Sequence, residues 1–237
     1  MMPNSVIWVF GSSLCLPFNI ETTIKGWPTI LQETLQIKCI NLSQPGADNF
    51  FIYHSYLENL KEFKNNDIII IGWSHYSRKS FVLNKNNQDQ VSLIPQSLVY
   101  KTKTKEFIRG NNPSVNVQQW LTIQPKNRNV PYYDTWFNKY YSEYEQKCNF
   151  QSYLDSVTLT CPGKYIPFFF SKESVNDINI PSHAGFITEF IIDNNVSIST
   201  TDAHLNEKGH SMWANVLLKA IDIDLNNCYN SNNPEKM

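Results

Sequence analysis

The first seventy residues alternate between short apolar runs typical of β-strands and amphipathic segments typical of α-helices. The predicted strands are Val6–Phe10, residues 37–42 and residues 67–72, and the predicted helices are residues 28–35 and a segment from 48 or 49 to 64. The third strand is apolar throughout, as expected of a strand buried on both faces. Strands that alternate with helices in this way predict right-handed βαβ crossovers and a parallel sheet. The chain is therefore predicted to be an α/β protein.

The rest of the chain continues this pattern after one interruption. Residues 80–129 are polar and show no period, so we interpret them as an irregular insertion, either a lid or a small hairpin. We predict a helix over 133–154, a strand over 165–170 and a terminal helix from near Asn206. Pro167 indicates an edge or bulged position for that strand. No repeat or linker divides the sequence, so residues 1–237 are predicted to form one domain.

Composition excludes several partners. The 237 residues are 41% hydrophobic and 14% aromatic, which is typical of a folded, globular chain. The formal net charge is -1, so no basic excess is available for binding nucleic-acid phosphates. We therefore expect no nucleic-acid partner.

The apolar runs also bear on location. The longest ones, Val6–Phe10 and residues 68–71, fall far short of the roughly 20 residues of a membrane-spanning helix. No signal peptide is visible at the amino terminus, and five scattered cysteines without a C-x-x-C pair favour reduced thiols. We expect a cytoplasmic protein whose cysteines are small core or surface residues.

Two stretches carry residues suited to catalysis. Ser13 follows the first strand in Gly11-Ser12-Ser13-Leu14, and ligands of open parallel sheets bind at the carboxyl ends of the strands. Asp202 and His204 lie two residues apart near the other end, so their side chains point the same way if the segment is extended. A serine, a histidine and an aspartate in that relation predict nucleophilic catalysis by a triad.

These stretches resemble the conserved blocks of the SGNH (GDSL-type) hydrolases. Gly11-Ser12-Ser13-Leu14 resembles the Gly-Asp-Ser-Leu block, Gly46 after the second strand matches the second block, and residues 202–210 resemble the last block with its Asn-x-x-Gly-His helix start. The resemblance covers nearly the whole chain, from residue 11 to residue 210. It implies a flavodoxin-like, three-layer α/β/α fold with a mostly parallel sheet.

The resemblance also implies roles for individual residues. Ser13 is the nucleophile, His204 the general base, and Asp202 orients the imidazole. The backbone N–H groups of Ser13 and Gly46 form the oxyanion hole, assisted by the Ser74 hydroxyl or the Asn49 amide. The implied activity is that of a serine esterase or deacetylase acting on a small-molecule or carbohydrate ester with a short acyl group, without a cofactor or metal.

The sequence departs from the family pattern at three places. Ser12 stands where the family has aspartate, and the spacing of Asp202 and His204 is one residue shorter than the commonest form. The third block reads Gly72-Trp73-Ser74-His75, so Ser74 replaces the asparagine that donates to the oxyanion. These departures keep a second hypothesis open, in which the chain is a catalytically impaired binding or structural module.

Other interpretations of single residues also remain open at this stage. Ser74 follows a buried strand in a sequence that partly resembles the Gly-x-Ser-x-Gly elbow of α/β-hydrolases. Asp202 alone is equally consistent with a helix cap, and His210 with a surface or capping residue. The aromatic residues between 132 and 144 are either core and surface residues or a wall that binds an apolar group or a sugar. No phosphate-binding glycine motif and no metal-ligand spacing is present.

Overall fold

A computed structural model of the chain describes residues 5–16, 24–83, 99–101, 119–123, 140–200 and 202–231. Its strands are β1 (Val6–Phe10), β2 (Lys38–Asn41), β3 (Ile68–Trp73), β4 (Lys79–Leu83), β5 (Val99–Lys101), β6 (Gln119–Ile123), β7 (Lys164–Phe169), β8 (Ser197–Ser199) and β9 (Asp202–Leu205). Its α-helices are α1 (Trp27–Leu35), α2 (Asn49–Asn59), α3 (Glu143–Thr160), α4 (Ile187–Asn194) and α5 (Glu207–Ser231). Short 3₁₀ turns occupy Ser13–Cys15, Leu60–Glu62 and Glu173–Val175.

The central sheet is parallel and, within the described residues, has the order β2-β1-β3-β7. Val9 lies opposite Asn41 on one side and Ile70 on the other, which places β1 where the strand order reverses. Strand β7 is the last strand of this row, but its outer side is also paired: Ala184 N–H donates to Pro167 O at 2.9 Å and Phe169 N–H donates to Gly185 O at 3.1 Å. The edge position predicted from Pro167 is therefore met only in part. The crevice beside the carboxyl ends of β1 and β3 is the position where folds of this kind bind ligands.

Helices cover both faces of the sheet and make the predicted three-layer α/β/α fold. Along β1, Ile7 and Val9 face the core cluster that includes α1, α4 and α5, whereas Trp8 and Phe10 face the cluster that includes α2 and α3. Strand β3 alternates in the same way between these two clusters. The uninterrupted apolar run of β3 is explained by burial on both sides.

Most of the predicted elements agree with the structure to within one or two residues. Helix α2 begins where Asp48 accepts a hydrogen bond from the Phe51 N–H at 2.8 Å, as expected of an N-cap. Its regular part is shorter than predicted, because the chain turns into the 3₁₀ segment Leu60–Glu62. Helix α4 was not predicted, since its eight residues were too few for a convincing period.

The helix predicted over 133–154 is interrupted at residues 140–142 and ends later than predicted. Residues 133–139 lie outside the described part of the chain, residues 140–142 are not helical, and α3 continues to Thr160. Ser142 caps the helix by accepting a hydrogen bond from the Glu145 N–H at 3.2 Å. Ser142 and the two glutamates after it, Glu143 and Glu145, are a typical N-terminal signal that the sequence prediction did not use.

The predicted insertion contains an antiparallel sheet in the order β4-β6-β5, with Phe81 opposite Leu121 and Tyr100 opposite Trp120. Of the two interpretations offered above, the hairpin matches these strands. Residues 84–98, 102–118 and 124–139 lie outside the described residues. The proposed role of the insertion stays a prediction.

Four cysteines are free thiols, in line with the expectation from their spacing: Cys15, Cys39, Cys148 and Cys161. They range from buried to exposed. Across the described segments, none of the helices combines the length and the apolar character that crossing a bilayer requires.

A buried carboxylate ties β1 to the turn before β3. Asp67 is 1% exposed and accepts hydrogen bonds from the Val6 N–H at 2.9 Å, the Trp8 indole at 3.0 Å and the Lys64 N–H at 3.0 Å. Three donors on one carboxylate satisfy groups that burial would otherwise leave unpaired. Asp67 thereby holds β1 and β3 together at the end of the sheet opposite Ser13.

We predict that Asp67→Ala lowers the free energy of unfolding by about 2 to 4 kcal/mol, because it leaves three donors without their acceptor. Asp67→Asn keeps one acceptor oxygen and should lose less. Asp193→Ala, at an exposed position of α4, is the control and should change stability by less than about 0.5 kcal/mol. Urea unfolding of the three variants measures this, and equal effects of Asp67→Ala and Asp193→Ala would contradict it.

Candidate active site

Ser13 lies in the first turn after β1 and contacts a residue from the other end of the chain. The 3₁₀ turn Ser13–Cys15 is closed by hydrogen bonds from Cys15 N–H to Ser12 O at 3.0 Å and from Leu16 N–H to Ser13 O at 3.1 Å. Ser13 Oγ is 2.9 Å from His204 Nε2. The structure therefore brings together the predicted nucleophile and base, which are 191 positions apart in sequence.

Asp202 holds His204 from the other side. One carboxylate oxygen, Asp202 Oδ1, lies 2.6 Å from His204 Nδ1 and also accepts the backbone N–H of His204 at 3.0 Å. Both residues belong to β9, where residues two apart face the same side. The short Asp-x-His spacing thus lets one oxygen fix the ring and the backbone of the histidine together.

The environment keeps Asp202 ionised. Partial burial alone would raise the pKa of this carboxyl, but hydrogen bonds from the ring and backbone of His204, together with the Coulombic interaction with His204, lower the pKa below its ordinary value. When the ionised carboxylate accepts from Nδ1–H, Nε2 is the acceptor nitrogen of the imidazole, and it is the nitrogen that contacts Ser13 Oγ. The helix-cap alternative for Asp202 is wrong, because α5 is capped by Asn206, whose Oδ1 accepts from Gly209 N–H at 2.8 Å.

Two glycines let the nucleophile turn pack tightly on β3. A Cβ on Gly11 would lie 2.3 Å from Cys15 Sγ, and one on Gly72 would lie 2.4 Å from the Phe168 ring and 2.9 Å from the same sulfur. Cys15 is fully buried, and burial raises the pKa of its thiol to about 12, so this thiol is a packing group. A glycine at the end of each of two adjacent strands is a sequence signal for this close approach.

Gly46 lies in the loop after β2 and has φ of 75°, a left-handed conformation that favours glycine. The end of β2 and the loop after it are attached to residues 11–15 at two points: Gln44 N–H donates to Gly11 O at 3.0 Å, and Asn41 Nδ2 donates to Cys15 O at 2.8 Å. Within the described segments, the backbone N–H groups of Ser13 and Gly46 have no hydrogen-bond acceptor. Their role as oxyanion donors stays a prediction. Sequence analysis did not single out Asn41.

Asn49 and Ser74 form a reciprocal pair. Asn49 Oδ1 accepts the Ser74 N–H at 2.7 Å, and Asn49 Nδ2 donates to the Ser74 carbonyl at 3.0 Å. Asn49 begins α2 and Ser74 follows β3, so this pair joins the two elements beside the site. The Ser74 hydroxyl is enclosed and has no partner among the described residues.

This geometry bears on the two predicted assisting donors. The Asn49 amide is engaged with backbone atoms, and the Ser74 hydroxyl is closed to solvent. The alternative in which Ser74 is the nucleophile of an elbow is wrong, since His204 Nε2 contacts Ser13 and the described residues offer Ser74 Oγ no histidine. Ser74 and Asn49 as oxyanion donors stay predictions.

His210 is buried and not a surface residue, which corrects one of the expectations above. It is 1% exposed, and its Nδ1 accepts the Trp27 N–H at 3.4 Å, at the first turn of α1. Burial lowers the pKa of His210 to about 4, with a further contribution from the charge of His204. Neither Trp27 nor His210 was assigned this contact from sequence, because nothing local indicates that α1 and α5 meet.

The aromatic segment before α3 was interpreted as core and surface or as a ligand-binding wall. Residues 132–139 lie outside the described residues, and Tyr140 and Tyr144 are 66% and 79% exposed. Tyr144 lines a cavity of about 400 Å³ on the outer face of α3 together with Glu143, Lys147, Cys148, Gln151 and Asp177. Ser13, Asp202 and His204 do not border that cavity. No group of three potential metal ligands occurs in the described part of the chain.

We predict that His210 makes the protein less stable in acid. Its pKa is lowered in the folded state, so the unfolded chain binds a proton first as the pH falls below 6.5, and stability decreases between pH 6.5 and about 4. The contribution lost by pH 4.5 is on the order of 2 kcal/mol. Urea unfolding at pH 7 and pH 4.5 should show a smaller decline for His210→Asn than for the wild type. Equal declines would contradict the prediction.

We also predict that Asn49→Ala lowers the free energy of unfolding by about 2 to 4 kcal/mol, because it leaves the buried N–H and carbonyl of Ser74 without partners. Ser74→Ala is the matched variant, since it removes a hydroxyl without a partner in the described structure. It should change stability by less than about 1 kcal/mol. Chemical denaturation measures both, and a larger loss for Ser74→Ala than for Asn49→Ala would contradict the assignment.

Comparisons with known proteins bear on the fold of the chain. No protein-family model matches the sequence, and no curated protein matches it. Solved structures do match, at low sequence identity. The psychrotrophic esterase EstA from Pseudoalteromonas sp. aligns over 94% of this chain and 100% of its own, with a TM-score of 0.50 and 11% identity.

Two further matches are described as lipolytic proteins of the G-D-S-L family. The protein from Veillonella parvula aligns over 91% of this chain and 97% of its own, with a TM-score of 0.46 and 11% identity. The protein described as putative from Desulfitobacterium hafniense aligns over 90% and 98%, with a TM-score of 0.41 and 12% identity. Of these matches, EstA has a TM-score of 0.50, and at 11% identity it shows a likeness of fold to this chain.

Proposed function

We propose that this protein is a serine hydrolase that cleaves carboxylic esters through Ser13, His204 and Asp202. The observation that carries the proposal is the continuous chain of contacts from Asp202 Oδ1 to His204 Nδ1 at 2.6 Å and from His204 Nε2 to Ser13 Oγ at 2.9 Å. Both are hydrogen-bond distances, which place the base to take the proton of the nucleophile during attack. The substrate class that we propose is an ester with a short acyl group, such as an acetylated sugar.

The first half of the reaction transfers the acyl group to Ser13. Ser13 Oγ attacks the ester carbonyl while His204 Nε2 takes its proton, and Asp202 stabilises the resulting imidazolium. Collapse of the tetrahedral intermediate breaks the bond to the alcohol, which leaves with the proton from His204. The product of this half-reaction is an acyl ester on Ser13.

The second half uses water in place of the alcohol. His204 removes a proton from water, the hydroxide attacks the acyl carbonyl, and Ser13 leaves with the proton that His204 returns. The carboxylic acid is released and the enzyme returns to its starting state. Because Asp202 remains ionised, the imidazole keeps one orientation through both halves.

The tetrahedral intermediates carry a negative oxygen that needs hydrogen-bond donors. The Ser13 and Gly46 N–H groups, without acceptors in the described segments, supply these donors in our proposal. The enclosed Ser74 hydroxyl and the engaged Asn49 amide contribute less. Losing one donor typically costs on the order of 100- to 1000-fold in kcat. Because Ser74 stands where the resembled family has an asparagine donor, we expect a modest kcat for ester hydrolysis.

The fold comparison supports a phosphonate as the probe. The matching EstA structure is that of the esterase inhibited by monoethylphosphonate. Phosphonates form a bond to an activated serine oxygen and so test nucleophilicity without knowledge of the natural ester.

We predict that Ser13→Ala lowers hydrolysis of p-nitrophenyl acetate by at least about 1000-fold and abolishes covalent labelling by a fluorophosphonate. Ser12→Ala is the matched control, because its hydroxyl is one residue away and makes no hydrogen bond within the described residues. Ser74→Ala should lower kcat by less than about tenfold if the two backbone donors dominate. Esterase assays and intact-mass spectrometry measure these effects.

Full activity in Ser13→Ala would remove Ser13 as the nucleophile. The competing hypothesis of an impaired binding module makes the opposite prediction for the wild type: no label and no turnover over a broad acyl panel. The intact Ser13–His204 contact favours the enzyme over the module.

A further inference from the structure

Trp27 contacts both ends of the chain that meet at the candidate site. Its indole Nε1 donates to the Leu14 carbonyl at 3.0 Å, and its backbone N–H donates to His210 Nδ1 at 3.4 Å. Trp27 is fully buried, and His210 is 1% exposed. One residue of α1 thus lies between the nucleophile turn and the helix that follows His204.

The first of these contacts reaches the nucleophile directly. Leu14 is the middle residue of the turn Ser13–Cys15, so its carbonyl lies one peptide from Ser13. This turn is a single 3₁₀ turn, a structure with poor hydrogen-bond geometry that needs external support. The indole N–H supplies that support from outside the turn.

The second contact reaches the base. His210 lies in the first turn of α5. Strand β9, which contains His204, ends at Leu205, and α5 begins two residues later at Glu207. The N-cap of α1 is Gly26, which has no side chain, so the Trp27 N–H is one of the unpaired donors at a helix start. His210 Nδ1 fills that position, although the contact is long, and links α5 to α1.

We propose that Trp27 is a positioning residue, which fixes the nucleophile turn through Leu14 and α5 through His210, and so keeps Ser13 within reach of His204. The inference rests on the proposed function for its kinetic consequence, whereas its structural consequence is independent of it. A displacement of about 1 Å between reacting groups can reduce a rate by about 100-fold, so a bridge of this kind has a measurable effect.

The chain contains a matched control for the indole. Trp213 belongs to the same core cluster, is 1% exposed and packs edge-on against the same ring as Trp27, with centroids 5.4 Å and 5.9 Å from Phe168. Its indole Nε1 is enclosed and has no partner in the described part of the chain. Trp213→Phe therefore removes a comparable area without removing a hydrogen bond.

The test compares Trp27→Phe with Trp213→Phe in the full chain. For Trp27→Phe we expect kcat for p-nitrophenyl acetate and the rate of fluorophosphonate labelling to fall about tenfold at an unchanged KM. For Trp213→Phe we expect both to stay within about twofold of the wild type. Equal effects of the two variants would overturn the inference.

Hydrogen exchange separates this inference from the proposed function. The Cys15 and Leu16 amides close the nucleophile turn, so in Trp27→Phe they should exchange about tenfold faster than in Trp213→Phe, whether or not the protein hydrolyses esters. A wild type without label or turnover would refute the proposed function alone. Unchanged exchange in Trp27→Phe would refute the bridge alone.

The His210 end is tested by a pair of variants. His210→Asn keeps an acceptor near the position of Nδ1 and should retain kcat within about threefold, whereas His210→Phe keeps a ring without an acceptor and should lose about tenfold at an unchanged KM. Rescue by asparagine supports the hydrogen bond to Trp27. Equal losses in the two variants would show that His210 acts by packing only, and would overturn its part in the bridge.

Discussion

The parallel pairing of β1 between β2 and β3 is the constraint on which the candidate site depends. Because parallel strands end at the same edge of a sheet, the turn with Ser13, the loop with Gly46 and the pair of Asn49 and Ser74 come together without any further device. At that edge Gly11 and Gly72 allow the buried Cys15 side chain to lie across both strands. The opposite edge is closed by the carboxylate of Asp67, so the register of β1 is fixed at its two ends.

Buried or partly buried polar groups around the site are organised so that each has one protonation state. Asp202 is held ionised by two hydrogen bonds from His204, and His210 is held neutral by burial, with its Nδ1 accepting an N–H. A neutral histidine beside His204 adds no positive charge near the base. This arrangement suits a site in which a single proton moves between a serine and an imidazole.

The departures from the family pattern have structural counterparts. The shorter Asp-x-His spacing is accommodated because one oxygen of Asp202 accepts both the ring and the backbone N–H of His204. The serine in the third block leaves a small, enclosed hydroxyl where the family has an amide, and Asn49 uses its own amide to hold the Ser74 backbone.

The sequence by itself determined the class of fold and the three residues proposed for catalysis. Apolar periodicity is a local property, so β1, β3 and α2 were predicted close to their observed bounds, and period-two alternation was enough to point Asp202 and His204 the same way. Local signals were insufficient in two places. The N-cap Ser142 sets the start of α3, and the eight-residue helix α4 was not predicted. Only the tertiary structure decided that His210 is buried against α1, that Trp27 supports the nucleophile turn, and that Ser74 Oγ is enclosed. These contacts join segments that are distant in sequence, and their strength depends on burial, which no single stretch of the chain specifies.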